Sequence, residues 1–138
     1  LVQVALEERL EAEQRLDGHL VQFGFVADKS AYYRLLAQAD LVVSTARHEF
    51  FGIAVIEAVR AGCYPVLPDR LSYPELFDGR FLYQDGCLYE TLHRLLQKTP
   101  VLTEAQRLAM TEPYNWKTVA GPFRKWLSNS DEGQGDFR

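Results

Sequence analysis

Apolar and polar positions change period along the chain, from helical spacing to strand-like runs and back. Between residues 2 and 16, Val4, Leu6, Leu10 and Leu16 recur among Glu, Gln and Arg. That spacing predicts an amphipathic helix with a wet outer face. Asp17-Gly18 stops it. His19 to Val26 (HLVQFGFV) is an apolar run of strand length with Gly24 near its end, and it predicts a first strand. The polar Asp28-Lys29-Ser30 suits a helix cap. Tyr32, Leu35, Leu36 and Ala39 then predict a helix over 31–39, ended by Asp40.

Leu41 to Ser44 is apolar on consecutive positions, the pattern of a strand buried on both faces. A polar turn follows, then a helix to about Ala61, which is apolar almost all round; Gly62 is a C-cap signal. Cys63 to Leu67 predicts a third strand, closed by Pro68. A short helix is expected at Tyr73-Pro74-Glu75-Leu76-Phe77, with Ser72 as N-cap and Pro74 in the first turn. Phe81 to Tyr83 predicts a minimal fourth strand. Helices are expected over 88–97, over 103–110 from a Thr cap, and over about 115–127. The remainder, 128–138, reads as a polar mobile tail. Strands alternating with helices at this rhythm specify an α/β fold with a parallel sheet of about four strands.

Composition narrows the function classes. The net charge of −4 gives no electrostatic reason to seek nucleic acid. Cys63 and Cys87 lack metal-ligand spacing and read as reduced thiols of a cytoplasmic protein. No apolar run approaches the roughly 18 residues that span a bilayer, so no membrane partner is expected. The fingerprints G-x-G-x-x-G, G-x-x-x-x-G-K-[ST] and G-x-S-x-G are missing, and no Cys/His cluster suggests a metal.

Candidate chemistry concentrates between Ser44 and Ala58. Ligands of open parallel sheets sit beyond the carboxyl ends of the strands, and the turn Ala46 to Gly52 lies at such an end. The first N–H groups of the following helix and its dipole favour an anion there, and Gly52 permits close backbone approach. Glu57 stands among Ile53, Ala54, Val55, Ile56, Ala58, Val59 and Ala61. A carboxylate on so apolar a helix needs donors, and a sugar diol supplies two. An ion pair with Arg60 or Arg47, or plain exposure, accounts for it equally well. Glu49 either reaches a polar ligand or complements the helix dipole. His48 touches a ligand or caps the turn. Phe50 and Phe51 line a pocket or enter the core. Gly24-Phe25-Val26 ends the first strand, where backbone pairs with a flat base edge or simply turns.

Glu49-x7-Glu57 with Phe51-Gly52 inside resembles the donor-site motif of retaining GT-B glycosyltransferases of the family 4 type. The longer run Val42-Val43-Ser44-Thr45-Ala46-Arg47-His48-Glu49-Phe50-Phe51-Gly52 is narrower. With Glu57-Ala58-Val59, Gly62-Cys63-Tyr64-Pro65 and Tyr73-Pro74-Glu75-Leu76-Phe77, it resembles the tRNA-queuosine α-mannosyltransferase group over roughly residues 18–127. The resemblance implies a Rossmann-like C-terminal domain, with Glu57 on the ribose hydroxyls and Glu49 on the donor sugar. Backbone N–H groups of Phe50, Phe51 and Gly52 would meet the diphosphate or sugar. His48 would lie near the donor, and Gly24, Phe25 and Val26 would meet the nucleobase. It implies GDP-mannose as substrate, no separate cofactor, no metal, and queuosine in tRNA as acceptor.

Against that pattern, 1–127 is expected to be a donor-binding half-domain. On the resemblance, the first two strands of the usual 3-2-1-4-5-6 order and the acceptor domain are expected to lie outside it, and no catalytic residue is identifiable. The chain alone is expected to be inactive, with tRNA held mainly by the other domain. An incomplete sheet predicts non-native closure or a strand-exchanged or edge-paired homo-oligomer. Two other readings keep the fold: a lipid or polysaccharide acceptor, and a non-catalytic interaction module.

Overall fold

A computed structural model describes residues 11, 13–98 and 100–130. Among these the chain forms two compact units, 1–32 and 33–138. The predicted helix over 2–16 lies mostly outside the described residues; 13–15 are helical and 16–19 turn. The predicted tail falls partly on described residues, which are helical as far as Ser130, and otherwise outside them.

The first unit corrects one expectation. Residues 19–26 form no strand. A strand persists only where its N–H and C=O groups meet a partner, and among the described residues no ladder includes this segment. Two of its apolar side chains find no cover either, since Val21 is 84% and Phe25 90% exposed. Gly24 adopts φ +83, which bends the backbone out of extended geometry. The sheet therefore has three strands rather than about four.

The α/β reading holds for the second unit. Helix α1 (Lys29–Gln38), which enters this unit at Tyr33, opens in the first unit on Asp28, whose Oδ1 accepts from Ala31 N–H at 2.6 Å. Strand β1 (Leu41–Val43) leads through the polar turn to α2 (Ile53–Ala61), and β2 (Tyr64–Pro68) follows at once. The short α3 (Tyr73–Leu76), a 3-10 turn at Gly79–Phe81 and β3 (Leu82–Tyr83) come next. Helices α4 (Leu88–Gln97), α5 (Glu104–Thr111) and α6 (Trp116–Ser130) complete it.

All three strands are parallel, in the order β1-β2-β3. Val42 lies opposite Pro65, and Leu67 opposite Leu82. Being parallel, the strands deliver their carboxyl ends, and the loops after Val43, Pro68 and Tyr83, to one edge.

The core explains why α2 is so apolar. Val55, Ile56 and Val59 pack with Leu67, Tyr73, Phe77, Phe81 and Leu102. Burying such side chains contributes roughly 1.5–3 kcal/mol each. Gly62 ends α2 with φ +128, and its N–H reaches the carbonyls of Ala58 and Val59, each at 3.1 Å. The expected Thr103 cap is a full capping box with Gln106. Ser72 precedes α3, but its hydroxyl makes no cap bond; it is buried and has no partner among the described residues.

Candidate functional site

The turn from Ser44 to Gly52 is held from below by aromatic hydroxyls. Ser44 Oγ and Tyr73 Oη are 2.9 Å apart, and Ser44 Oγ accepts from Ala46 N–H at 3.2 Å. Tyr83 donates its hydroxyl to Ser44 O at 2.8 Å. Burial raises the Tyr83 phenol above its ordinary value, and its hydrogen bond uses the neutral form. Arg70 Nε donates to Ala46 O at 3.3 Å and pairs with Asp85. The turn is thus tied to the loops after β2 and β3.

Gly52 is the hinge into α2. It adopts φ +75 and accepts from the N–H groups of Val55 and Ile56. A Cβ there would lie 3.1 Å from Tyr73 Cε1, so both its conformation and its neighbour require glycine.

Glu49 turns back on its own chain. Its Oε1 accepts from the N–H groups of Phe50 at 3.0 Å, Phe51 at 3.3 Å and Gly52 at 3.0 Å. These donors, the Gly52 amide foremost, hold the carboxyl below its ordinary value. In this structure Glu49 therefore serves as the anion at the start of α2. The amides predicted for the diphosphate or sugar are the ones it engages.

Glu57 is placed differently. It lies on α2 beside a cavity of ≈ 640 Å³, lined also by Tyr33, Ala37, Ile56, Arg60, Ala61, Thr111, Tyr114 and Asn115. That volume is within the range of small-molecule sites. Tyr33 donates its hydroxyl to Glu57 Oε1 at 3.2 Å. Arg60 is not its partner; it donates to Thr111 Oγ1 and Glu112 Oε2, each at 3.1 Å. Among the described residues Arg47 makes no ion pair either. It lines a second cleft of ≈ 630 Å³ with Thr45, Arg70, Tyr83, Asp85, Gly86 and Leu88.

The other predicted residues are dispersed. His48 is exposed in the turn, and Phe50 is 98% exposed, so Phe50 is not core. Phe51 packs edge-on against Tyr114 with ring centroids 5.3 Å apart, which ties it to a residue of the Glu57 cavity. Gly24, Phe25 and Val26 belong to the first unit, where with Ala27, Lys29 and Tyr32 they line a cavity of ≈ 440 Å³. Among the described residues no group of His, Cys, Asp or Glu is arranged to hold a metal. No described helix is long and apolar enough to cross a membrane.

A known family matches the stretch that holds these residues. The model of glycosyl transferases group 1 matches residues 5–95. The chain belongs to this family. The matched stretch includes Glu49, Glu57 and every other predicted site residue, as well as Tyr33, Arg47 and Arg70. Thr111, Tyr114 and Asn115 lie beyond it.

The chain is similar to the tRNA-queuosine alpha-mannosyltransferase of Drosophila melanogaster, 36% identical over 111 residues, covering 80% of this chain and 29% of that protein. It is 28% identical over 112 residues to a GDP-mannose:cellobiosyl-diphosphopolyprenol alpha-mannosyltransferase of Xanthomonas campestris, 75% of this chain and 30% of that one. A GDP-mannose-dependent alpha-(1-6)-phosphatidylinositol dimannoside mannosyltransferase of Mycobacterium tuberculosis is 35% identical over 65 residues, 46% and 17% of the two chains. The chain spans less than a third of the length of these relatives. No solved structure matches it.

Within this glycosyl transferase family, sequence reasoning missed the supports of the motif: Tyr33, Ser44, Arg70, Tyr73 and Tyr83. Their signal was positional. Ser44, Arg70 and Tyr83 stand at or just past the carboxyl ends of strands, where ligand edges are built.

Proposed function

We propose that the protein is a retaining mannosyltransferase that moves mannose from GDP-mannose to queuosine in tRNA, with this chain supplying donor-binding residues. The observation that carries the reading is Glu57: a carboxylate on a helix that is apolar apart from it and Arg60, oriented by Tyr33, beside a cavity of small-molecule size. A ribose diol donates two hydroxyls to such a carboxylate. An Oε1 that accepts from Tyr33 keeps capacity for more, because an ionised carboxylate has about four acceptor positions.

The donor is supported by two relatives named for GDP-mannose, and the acceptor by the Drosophila relative. Departure of the diphosphate leaves the sugar with oxocarbenium character. The enzyme's task is to stabilise the charge collecting on the leaving group, which oriented backbone dipoles do at no reorganisation cost. The amides of Phe50, Phe51 and Gly52 are such dipoles. Glu49 holds them aligned, and a donor phosphate oxygen or sugar hydroxyl that takes the place of its carboxylate accepts from amides that need not turn.

The full-length enzyme incubated with GDP-mannose and tRNA is expected to yield mannosylated queuosine. Mannose appearing only on a lipid or polysaccharide removes the acceptor claim and leaves the transferase. For the site, Glu57→Ala is expected to weaken GDP binding about 10- to 100-fold in calorimetry, the worth of one or two charge-assisted hydrogen bonds. Unchanged GDP affinity removes Glu57 from the ribose.

A further inference from the structure

We infer that the Arg47 cleft is a phosphate-binding site for the acceptor, separate from the donor residues around Glu57. This rests on the transferase reading above.

The cleft is built from three places that the parallel sheet brings to one edge. Thr45 and Arg47 come from the loop after β1, Arg70 from the loop after β2, and Tyr83 and Asp85 from the end of β3 and the loop beyond it. Its walls are joined before any ligand arrives. Tyr83 holds Ser44 O, Arg70 holds Ala46 O and pairs with Asp85, and Gln84 Nε2 donates to Asp69 Oδ2 at 2.6 Å.

Its charges are not balanced. Asp85 answers Arg70, while Arg47 is exposed and has no carboxylate in ion-pair distance among the described residues. A chain of net charge −4 thus concentrates an uncompensated guanidinium in a polar recess at its ligand edge. Guanidinium forks match phosphate oxygens bidentately. The Thr45 hydroxyl adds a neutral donor.

The donor residues are elsewhere: neither Glu57 nor Phe50, Phe51 or Gly52 lines this cleft. The donor diphosphate is therefore the less fitting source. An acceptor phosphate is the fitting one, and in the proposed reaction it is a phosphodiester of the tRNA. Such contacts set register without reading sequence.

The test uses the full-length enzyme, a synthetic anticodon stem-loop RNA, and GDP. Arg47→Ala is expected to weaken RNA binding about 3- to 10-fold and to lower the slope of log affinity against log salt by about one. Arg47→Lys is expected to recover the slope but not the whole affinity. GDP affinity and the far-UV circular dichroism stay unchanged. Arg47→Ala with unaltered RNA affinity and slope overturns the inference. A loss of GDP affinity equal to the loss for RNA also overturns it, because it puts the cation on the donor. If the unaltered enzyme binds GDP but not the RNA, the tRNA reading fails and takes this source of phosphate with it. If it binds RNA and Arg47→Ala changes nothing, only the inference fails.

Discussion

Two cavities of the second unit are similar in size and different in character. One, ≈ 640 Å³, presents the Glu57 carboxylate against Ile56, Ala37 and Ala61, with Arg60 at its wall already paired to Glu112. The other, ≈ 630 Å³, presents two guanidiniums against one carboxylate. Hydroxyl donors suit the first and anions suit the second. Between Arg47 and Glu57 in sequence, the turn carries its own carboxylate, Glu49, already bonded to three amides. A motif that reads as one site thus contributes to two cavities of different chemistry, Arg47 to one and Glu57 to the other.

The strongest way to break this comparison is to deform the turn from which α2 starts. Gly52→Ala forces a side chain to φ +75 and a Cβ to 3.1 Å from Tyr73. It is expected to cost about 1–3 kcal/mol in chemical denaturation and to weaken binding in both cavities together. A variant as stable as the parent would mean that the turn relaxes freely.

A smaller change separates the two cavities. Tyr33→Phe removes the hydroxyl that donates to Glu57 Oε1. A single hydrogen bond of about 0.5–1.5 kcal/mol corresponds to a roughly 2- to 10-fold loss of GDP affinity. Discrimination between GDP and its 2′-deoxy analogue is expected to narrow, with binding of the stem-loop RNA unaffected. Discrimination equal to the parent's would show that Tyr33 does not orient the carboxylate.

The smallest effect is on pH. The three amides hold the Glu49 carboxyl below the ordinary carboxyl value of 4.5, so its contribution to stability is fully present above that pH. It is lost as pH falls through the lower, folded value. Glu49→Gln is expected to lower stability at neutral pH by under about 1 kcal/mol, since the group is solvent-screened. Its deficit relative to the parent should shrink on acidification below pH 4.5. A deficit that grew instead would reverse the assigned role of the three amides.

Much of the second unit was legible because its elements carry local signals. Leu41-Val42-Val43 and the run from Cys63 have the continuous apolarity of buried parallel strands, and Gly62 and Thr103 mark helix ends by conformation and hydrogen bonding. His19 to Val26 has the same kind of apolarity and forms no strand. Local pattern supplies the propensity to pair, and pairing also needs a neighbour. The motif was likewise legible as Glu49-x7-Glu57, since spacing on a turn and helix is a property of the chain.

The roles of the two glutamates were another matter. By itself the sequence determined an α/β chain whose second unit is a parallel sheet, its ligand edge, its family and the two carboxylates worth watching. Only the tertiary structure decided that Glu49 bonds to its own amides, that Glu57 meets Tyr33 rather than Arg60, and that Arg47 joins Arg70 in a cleft. The Glu49 bonds span one to three residues, but Tyr33–Glu57, Arg60–Glu112 and Arg70–Asp85 span 24, 52 and 15. No periodicity reaches that far. Side chains meet across such distances only when the sheet has brought its loops to one edge.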